Sequence, residues 1–265
     1  MKLKLLFAGV AVLIVSLGYL VVNYGFEPKL LTELSFYMSL ANPSVRIVRV
    51  QEGLRKEQVA ELVADKLDWD EKEKKDFINS YLALGEKTDA EGYYFPRTYL
   101  IDKDEGPKEV SATMFEEFSK QIGTVNKPKS KQVISEDTIV KIASIIQRES
   151  NGKTDMKLIS GIIWNRIFSG MKLQIDATLQ YAKGNEEDGW WGKVHSKDKN
   201  IKSAYNTYLH AGFPPTAIAN PGLAAIDAAY NPTKTDCLFY LHDKHKKIHC
   251  AKTYQEHKQN IRVYY

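Results

Sequence analysis

A chain of 265 residues, 43% hydrophobic and 26% charged, is long enough for one large or two modest globular domains with real cores. With 37 basic against 33 acidic residues the net charge is +4, mild for this length, which argues against a dedicated nucleic-acid binder with its concentrated basic face.

The chain opens on Lys2 and Lys4, followed by an uncharged run from Leu5 to Val22. That run reaches the lower end of the roughly 17–25 apolar residues a helix needs to cross a bilayer. Residues 1–23 therefore read as a single-pass transmembrane anchor. The leading lysines favour a cytoplasmic N-terminus and an extracytoplasmic body. A cleaved signal peptide is the alternative, but Leu20-Val21-Val22-Asn23-Tyr24 offers no small-x-small cleavage site. Residues 24–43 form a juxtamembrane stretch with room for a short helix.

VRIVRV at 45–50 alternates as a half-buried strand does, and Gln51-Glu52-Gly53 supplies a turn. Val59, Leu62, Val63 and Leu67 give 56–67 helical spacing, and a second helical piece covers 70–84. Together they make a small α/β unit suited to an interaction or carbohydrate-binding module. EGYYFPRTYL at 91–100 has neither helical nor strand period and reads as a loop or edge segment. Pro96 there restricts Phe95 to extended geometry. An amphipathic helix follows at 106–123, then a proline-containing basic linker at 124–131.

The strongest helices lie beyond 132. Ser135 can cap a helix over 136–150, and Glu136 and Asp137 favour its start. At about 100° per residue, Ile139, Ile142, Ala143, Ile145 and Ile146 share one face, with Lys141, Ser144 and Arg148 opposite. Glu149 falls on the apolar face, and the helix stops at once in Asn151-Gly152. A carboxyl kept among apolar side chains is harder to ionise, which is what a general acid requires at neutral pH. The alternative is a helix-end glutamate that reaches solvent or pairs with Arg148 or Arg166. A further helix spans about 155–169, with Gly170 as its stop, and a polar Gly- and Trp-containing loop covers 183–203. Asn220-Pro221 reads as the N-cap and first position of a helix that Asn231-Pro232 ends.

DCLFYLHDKHKKIHCAK reads as two short strands around a polar turn. A two-residue turn at Asp243-Lys244 would set Cys237 opposite Cys250, so a disulfide and two packed thiols both remain open. His242, His245 and His249 have the spacing of a zinc triad, but they straddle the turn among lysines, and a solvated tip is the better reading.

The ordered motifs IASIIQRES, WNRIFSGMKLQIDATLQYA and AYNTYLHAGFPPTAIANPGLAAIDAAYNP, continued by DCLFYL and HCAKTYQEH, resemble the MltG (YceG-like) family of endolytic murein transglycosylases. The resemblance covers roughly 88–260, and EGYYFPRTY matches the family's aromatic-proline segment. It implies an α+β chain: an N-terminal transmembrane helix, a small LysM-like α/β subdomain at 44–87, and a larger mixed α/β catalytic domain at 88–265. The connecting region 88–131 belongs to that last domain.

The family's catalytic glutamate maps onto Glu149. It would protonate the oxygen between MurNAc and GlcNAc, then take the proton of the MurNAc 6-hydroxyl as that group closes on C1. A 1,6-anhydro end results, and no second carboxylate is needed because the substrate supplies the nucleophile. Asn165, Gln174, Asp176, Tyr205, Asn206, Thr207 and Tyr208 stand in the matching motifs as candidate sugar-binding residues. For Asp176 a helix-capping role is the plainer alternative. No cofactor or metal is implied. The partners implied are peptidoglycan glycan strands and membrane-bound peptidoglycan synthases, with the chain in the bacterial inner membrane terminating nascent strands.

The chain departs from the family pattern at Arg97, where aspartate is usual, and at Ala177, where proline follows the aspartate. Phe213 and Cys250-Ala251 are further departures. Two other functions stay in view: a non-catalytic peptidoglycan-binding scaffold, and a water-using glycoside hydrolase, for which Glu91 and Asp176 are the only candidate second carboxylates.

Overall fold

A computed structural model describes residues 42–82, 88–128 and 134–264. The transmembrane anchor expected at 1–23 and nearly all of the juxtamembrane stretch lie outside the described residues. The chain divides into two units, Met1–Arg46 and Ile47–Tyr265, and of the first only residues 42–46 are described. No helix among the described residues is long and apolar enough to cross a membrane.

The fold is α+β. Its elements are β1 (Val45–Arg49), α1 (Lys56–Leu67), α2 (Glu71–Ile78), β2 (Tyr81–Leu82), β3 (Thr88–Asp89), β4 (Thr98–Asp102) and α3 (Pro107–Gly123). After these come α4 (Glu136–Glu149), α5 (Met156–Phe168), α6 (Asp176–Lys183), α7 (Leu223–Tyr230), β5 (Phe239–His242), β6 (Ile248–Ala251) and α8 (Tyr254–Tyr264). Among the described residues the strands form three separate two-stranded sheets, β1-β4, β2-β3 and β5-β6.

Local chemistry accounts for most boundaries. Asp70 and Glu73 close a reciprocal capping box at the start of α2, with bonds of 2.8 and 2.9 Å. That helix ends at Ile78, short of the expected 84, because Tyr81–Leu82 pairs with Thr88–Asp89. Pro107 takes the first position of α3, where its missing N–H costs nothing. Ser135 Oγ accepts from Thr138 N–H at the start of α4, and Gly170, at φ +66°, follows the end of α5.

Helix α4 is the centre of the core and packs against α5, α6 and α7. Ile139, Ile142, Ile145 and Ile146 are each fully buried, worth about 1.5–3 kcal/mol apiece. The side of this helix opposite the isoleucines is covered too at Ser144 and Arg148. Ser144 is wholly buried, its hydroxyl donating to Lys141 O and accepting from Ile218 N–H at 3.0 Å. Arg148 stacks 3.7 Å from the Trp191 ring centroid. The aromatic segment before β4 is core as well. Tyr94 stacks on Phe77 and bonds Phe77 O and Ser111, and Tyr99 donates to Phe95 O at 2.6 Å.

Asn220 does not cap α7, whose N-cap is Gly222. Its buried side chain instead accepts from Tyr94 N–H and donates to Leu54 O, while its backbone pairs with Gly53 and Leu54. The polar loop at 183–203 carries one turn of 3-10 helix at Ser196–Asn200. Cys237 and Cys250 form a disulfide with Cα atoms 5.8 Å apart. The register differs from the expected one: Cys250 faces Tyr240, and five residues rather than two separate the strands. Cys237 lies just before β5 and reaches its partner from outside the ladder.

Candidate active site

Glu149 is the last residue of α4, and Ser150 turns away in extended geometry at φ −79°, ψ 147°. The helix thus delivers its final carboxyl from the core to the floor of a cavity of about 600 Å³, within the usual range for ligand sites. Apolar walls come from Ile162, Ile163, Leu173 and Ile175. Polar groups come from Gln174, Asp176, Lys199 and Tyr208 on one side, and from Tyr240, His242 and His257 on the other.

The two oxygens of Glu149 have different neighbours. Oε2 accepts a 2.7 Å hydrogen bond from the Tyr240 hydroxyl. Oε1 takes a long contact of 3.4 Å from the backbone N–H of Ala177, in the first turn of α6. Burial pushes the carboxyl above its ordinary range, the Tyr240 and Ala177 donors pull it back, Asp176 raises it further and His242 lowers it. Neither arginine pairs with it. Arg148 lies on Trp191, and Arg166 spends its guanidinium on the carbonyls of Leu238 and Leu173, at 2.6 and 2.5 Å.

The candidate binding residues separate into two groups. Gln174, Asp176 and Tyr208 line the cavity. Gln174 sits at φ +52°, and Tyr208 donates to Asp176 Oδ1 at 2.6 Å. The others are placed behind the cavity wall or away from it. Thr207 is buried and props the cavity segment, accepting from Ile175 N–H and bonding Thr178. Asn206 is fully buried and gives its amide to Lys199 O and Ile201 O. Tyr205 bonds Thr216, and Asn165 donates to Thr235 O and Cys237 O.

Two interactions were not legible as site features. Tyr240 is one. The other is His242, whose Nε2 lies 2.6 Å from Oδ2 of Asp155, a buried carboxylate that also accepts from Asn151 N–H. Strand alternation places Tyr240 and His242 on one face, and that was the only available signal. His249 bonds a different carboxylate, Asp243. Among the described residues no group of three His, Cys, Asp or Glu side chains is arranged to hold a metal ion. Glu91 lies outside the cavity, wholly buried, accepting from Lys56 N–H and Tyr181 OH.

The YceG-like family model matches residues 23–263. The chain belongs to the YceG-like family. The chain is similar to a protein named endolytic murein transglycosylase from Bacillus subtilis (strain 168), 31% identical over 229 residues. That match takes in 79% of this chain and 62% of the relative. The protein of the same name from Streptococcus pneumoniae (strain D39) is 29% identical over 173 residues, 64% of this chain and 31% of that one. The chain therefore spans less than two thirds of the length of these relatives. A solved structure of a YceG-like protein from Listeria monocytogenes superposes with a TM-score of 0.71 at 27% identity, covering 82% of this chain and 76% of that one.

Proposed function

We propose that the chain is an endolytic lytic transglycosylase of peptidoglycan, with Glu149 as its acid and base. The observation that carries this reading is the Glu149 carboxyl itself, kept hard to ionise at the end of a buried helix and opening onto a ligand-sized cavity. The names of the related proteins support it.

The protonated carboxyl gives its proton to the glycosidic oxygen as the bond from C1 of MurNAc breaks, and an oxocarbenium-like centre develops at C1. The carboxylate then accepts the proton of the 6-hydroxyl as that oxygen bonds to C1. The acid is regenerated, one new GlcNAc hydroxyl and one 1,6-anhydro end are left, and no water is consumed. Gln174, Asp176 and Tyr208 are the residues of the cavity suited to hold sugar hydroxyls and faces. In this reading residues 1–23 anchor the chain in the inner membrane with the body outside. Residues 44–87 act as a LysM-like glycan-reading unit, and cutting beside membrane-bound synthases ends nascent strands.

A water-using hydrolase is the second reading, favoured by one observation: Asp176 lines the same cavity as Glu149. Incubating the full-length protein with purified peptidoglycan and analysing fragments by mass spectrometry decides between the two. Anhydro ends that vanish in Glu149→Gln are expected. Reducing ends would transfer the assignment to a hydrolase, and intact glycan would leave a binding scaffold.

A further inference from the structure

We propose that Tyr240 is a positioning residue for Glu149, one that fixes which carboxyl oxygen carries the transferable proton and steadies the carboxylate once that proton has left. The inference rests on the reading of Glu149 as the acid. It adds a group 91 residues further along the chain.

The argument begins with the two oxygens. A carboxylic acid carries one proton, on one oxygen. Tyr240 donates to Oε2 at 2.7 Å. Burial and the neighbouring Glu149 hold its phenol well above the ordinary range, so it stays a donor wherever Glu149 titrates. An oxygen that already receives a hydrogen at that distance is the poorer place for a second one. The acidic proton of Glu149 is therefore directed to Oε1, which has only the long contact to Ala177 N–H among the described residues.

After transfer the same phenol faces a full negative charge. A hydrogen bond to an ionised acceptor is roughly twice as strong as a neutral one, so the bond tightens at the moment the carboxylate must wait for the second proton. Burial alone would disfavour that state. Tyr240 thus serves both halves of a reaction in which one carboxyl is first acid and then base.

The phenol is aimed by a strand held on several sides. Arg166 Nε donates to Leu238 O at 2.6 Å, just before β5. Cys250 stands opposite Tyr240 in the ladder and is bonded to Cys237. Two residues on, His242 is tied to Asp155, which also takes Asn151 N–H from the turn that follows Glu149. One face of β5 therefore grips both ends of the α4–α5 connection, Tyr240 at Glu149 and His242 at Asp155. None of the other anchors uses the Tyr240 hydroxyl, so its removal leaves the strand in place.

Tyr240→Phe in the full-length protein tests the assignment. The other charged and titratable groups around Glu149 and Tyr240 stay as they are: Asp176 on α6, His242 on β5, His257 on α8, Arg148 on α4, Arg166 on α5, Asp155 ahead of α5, and Lys199 and Tyr208 from their loops. Two readouts are taken. Carbon-detected NMR of labelled glutamate carboxyls, with Glu149 assigned by its loss in Glu149→Gln, should show the Glu149 titration displaced to higher pH in Tyr240→Phe. The basic limb of kcat/KM on peptidoglycan should move the same way, with kcat reduced about 10- to 100-fold and KM little changed.

An unmoved titration in a folded Tyr240→Phe protein would overturn the inference. So would lost activity accompanied by a lowered thermal midpoint and an unmoved basic limb, because that is the behaviour of a purely structural tyrosine. The NMR arm needs no turnover. Retained activity in Glu149→Gln would defeat the reading of Glu149 as the acid, and it is distinguishable from a failure of Tyr240→Phe to move the titration.

Discussion

Tyr208 donates a 2.6 Å hydrogen bond to Asp176 at the rim of the cavity that Glu149 floors. The bond holds a second carboxylate where its charge opposes ionisation of the first. Asp176→Asn removes that charge, so Glu149 should lose its proton at lower pH. The basic limb of the activity profile then shifts down in pH, opposite to the shift in Tyr240→Phe, and KM rises several-fold. Profiles of kcat/KM against pH check both signs, and a limb that stays put would separate Asp176 from the chemistry.

Glu91 makes a prediction about stability. Burial, with Glu57 nearby, raises its carboxyl to about 8 from the ordinary 4.5. Between these values the folded chain holds a proton that the unfolded chain has released. The contribution is fully present below about 4.5 and is lost as pH rises through 8, with a slope of about 1.4 kcal/mol per pH unit in that window. Glu91→Gln keeps an acceptor for Tyr181 and should flatten the dependence. Denaturant unfolding at several pH values from 5 to 9 gives the comparison, and equal slopes would refute it.

Removing the disulfide should loosen one wall of the cavity rather than the whole fold. Cys237 and Cys250 lie 13 residues apart, and closing such a loop is worth about 3 kcal/mol. In Cys237→Ser/Cys250→Ser, amide hydrogen exchange should quicken across 237–251 while the amides of α4 keep their protection. Activity should fall at temperatures well below global unfolding. Uniform loss of protection would show that the hairpin does not open separately.

Asn220→Ala should cost stability and spare chemistry. The substitution strands the buried N–H of Tyr94 and removes the Asn220 amide that donates to Leu54 O, a loss of about 2–4 kcal/mol. Activity per folded molecule should stay near wild type. A large fall in kcat without a stability change would place Asn220 at the substrate.

The sequence reveals Glu149 because helical period assigns a face, and a carboxyl on an isoleucine face stands out. The same period sets Ser144 and Arg148 on the opposite side but does not show that this side is covered as well. Burial on the second side comes from Ile218, Gly53 and Trp191, all distant in the chain. Asn206 and Thr207 share a polar motif with Tyr208, yet the Asn206 side chain is spent on backbone groups of Lys199, Ile201 and Tyr208, and that of Thr207 on Ile175 N–H and the Thr178 hydroxyl. Only packing distinguishes a sugar-facing amide from one that braces a loop. Tyr240 was hidden for the same reason: its partner is a residue that no local pattern connects to it.

That separation also orders the birth of the site. Glu149 leaves the ribosome well before Tyr240, and the strand that receives it follows later still. A chain made only as far as α7 already holds Glu149 but lacks the strand that bears its hydrogen-bond donor, Tyr240. The proposed arrangement around Glu149 is therefore assembled only once the β5–β6 hairpin has been made, and a product truncated ahead of Phe239 carries Glu149 without Tyr240.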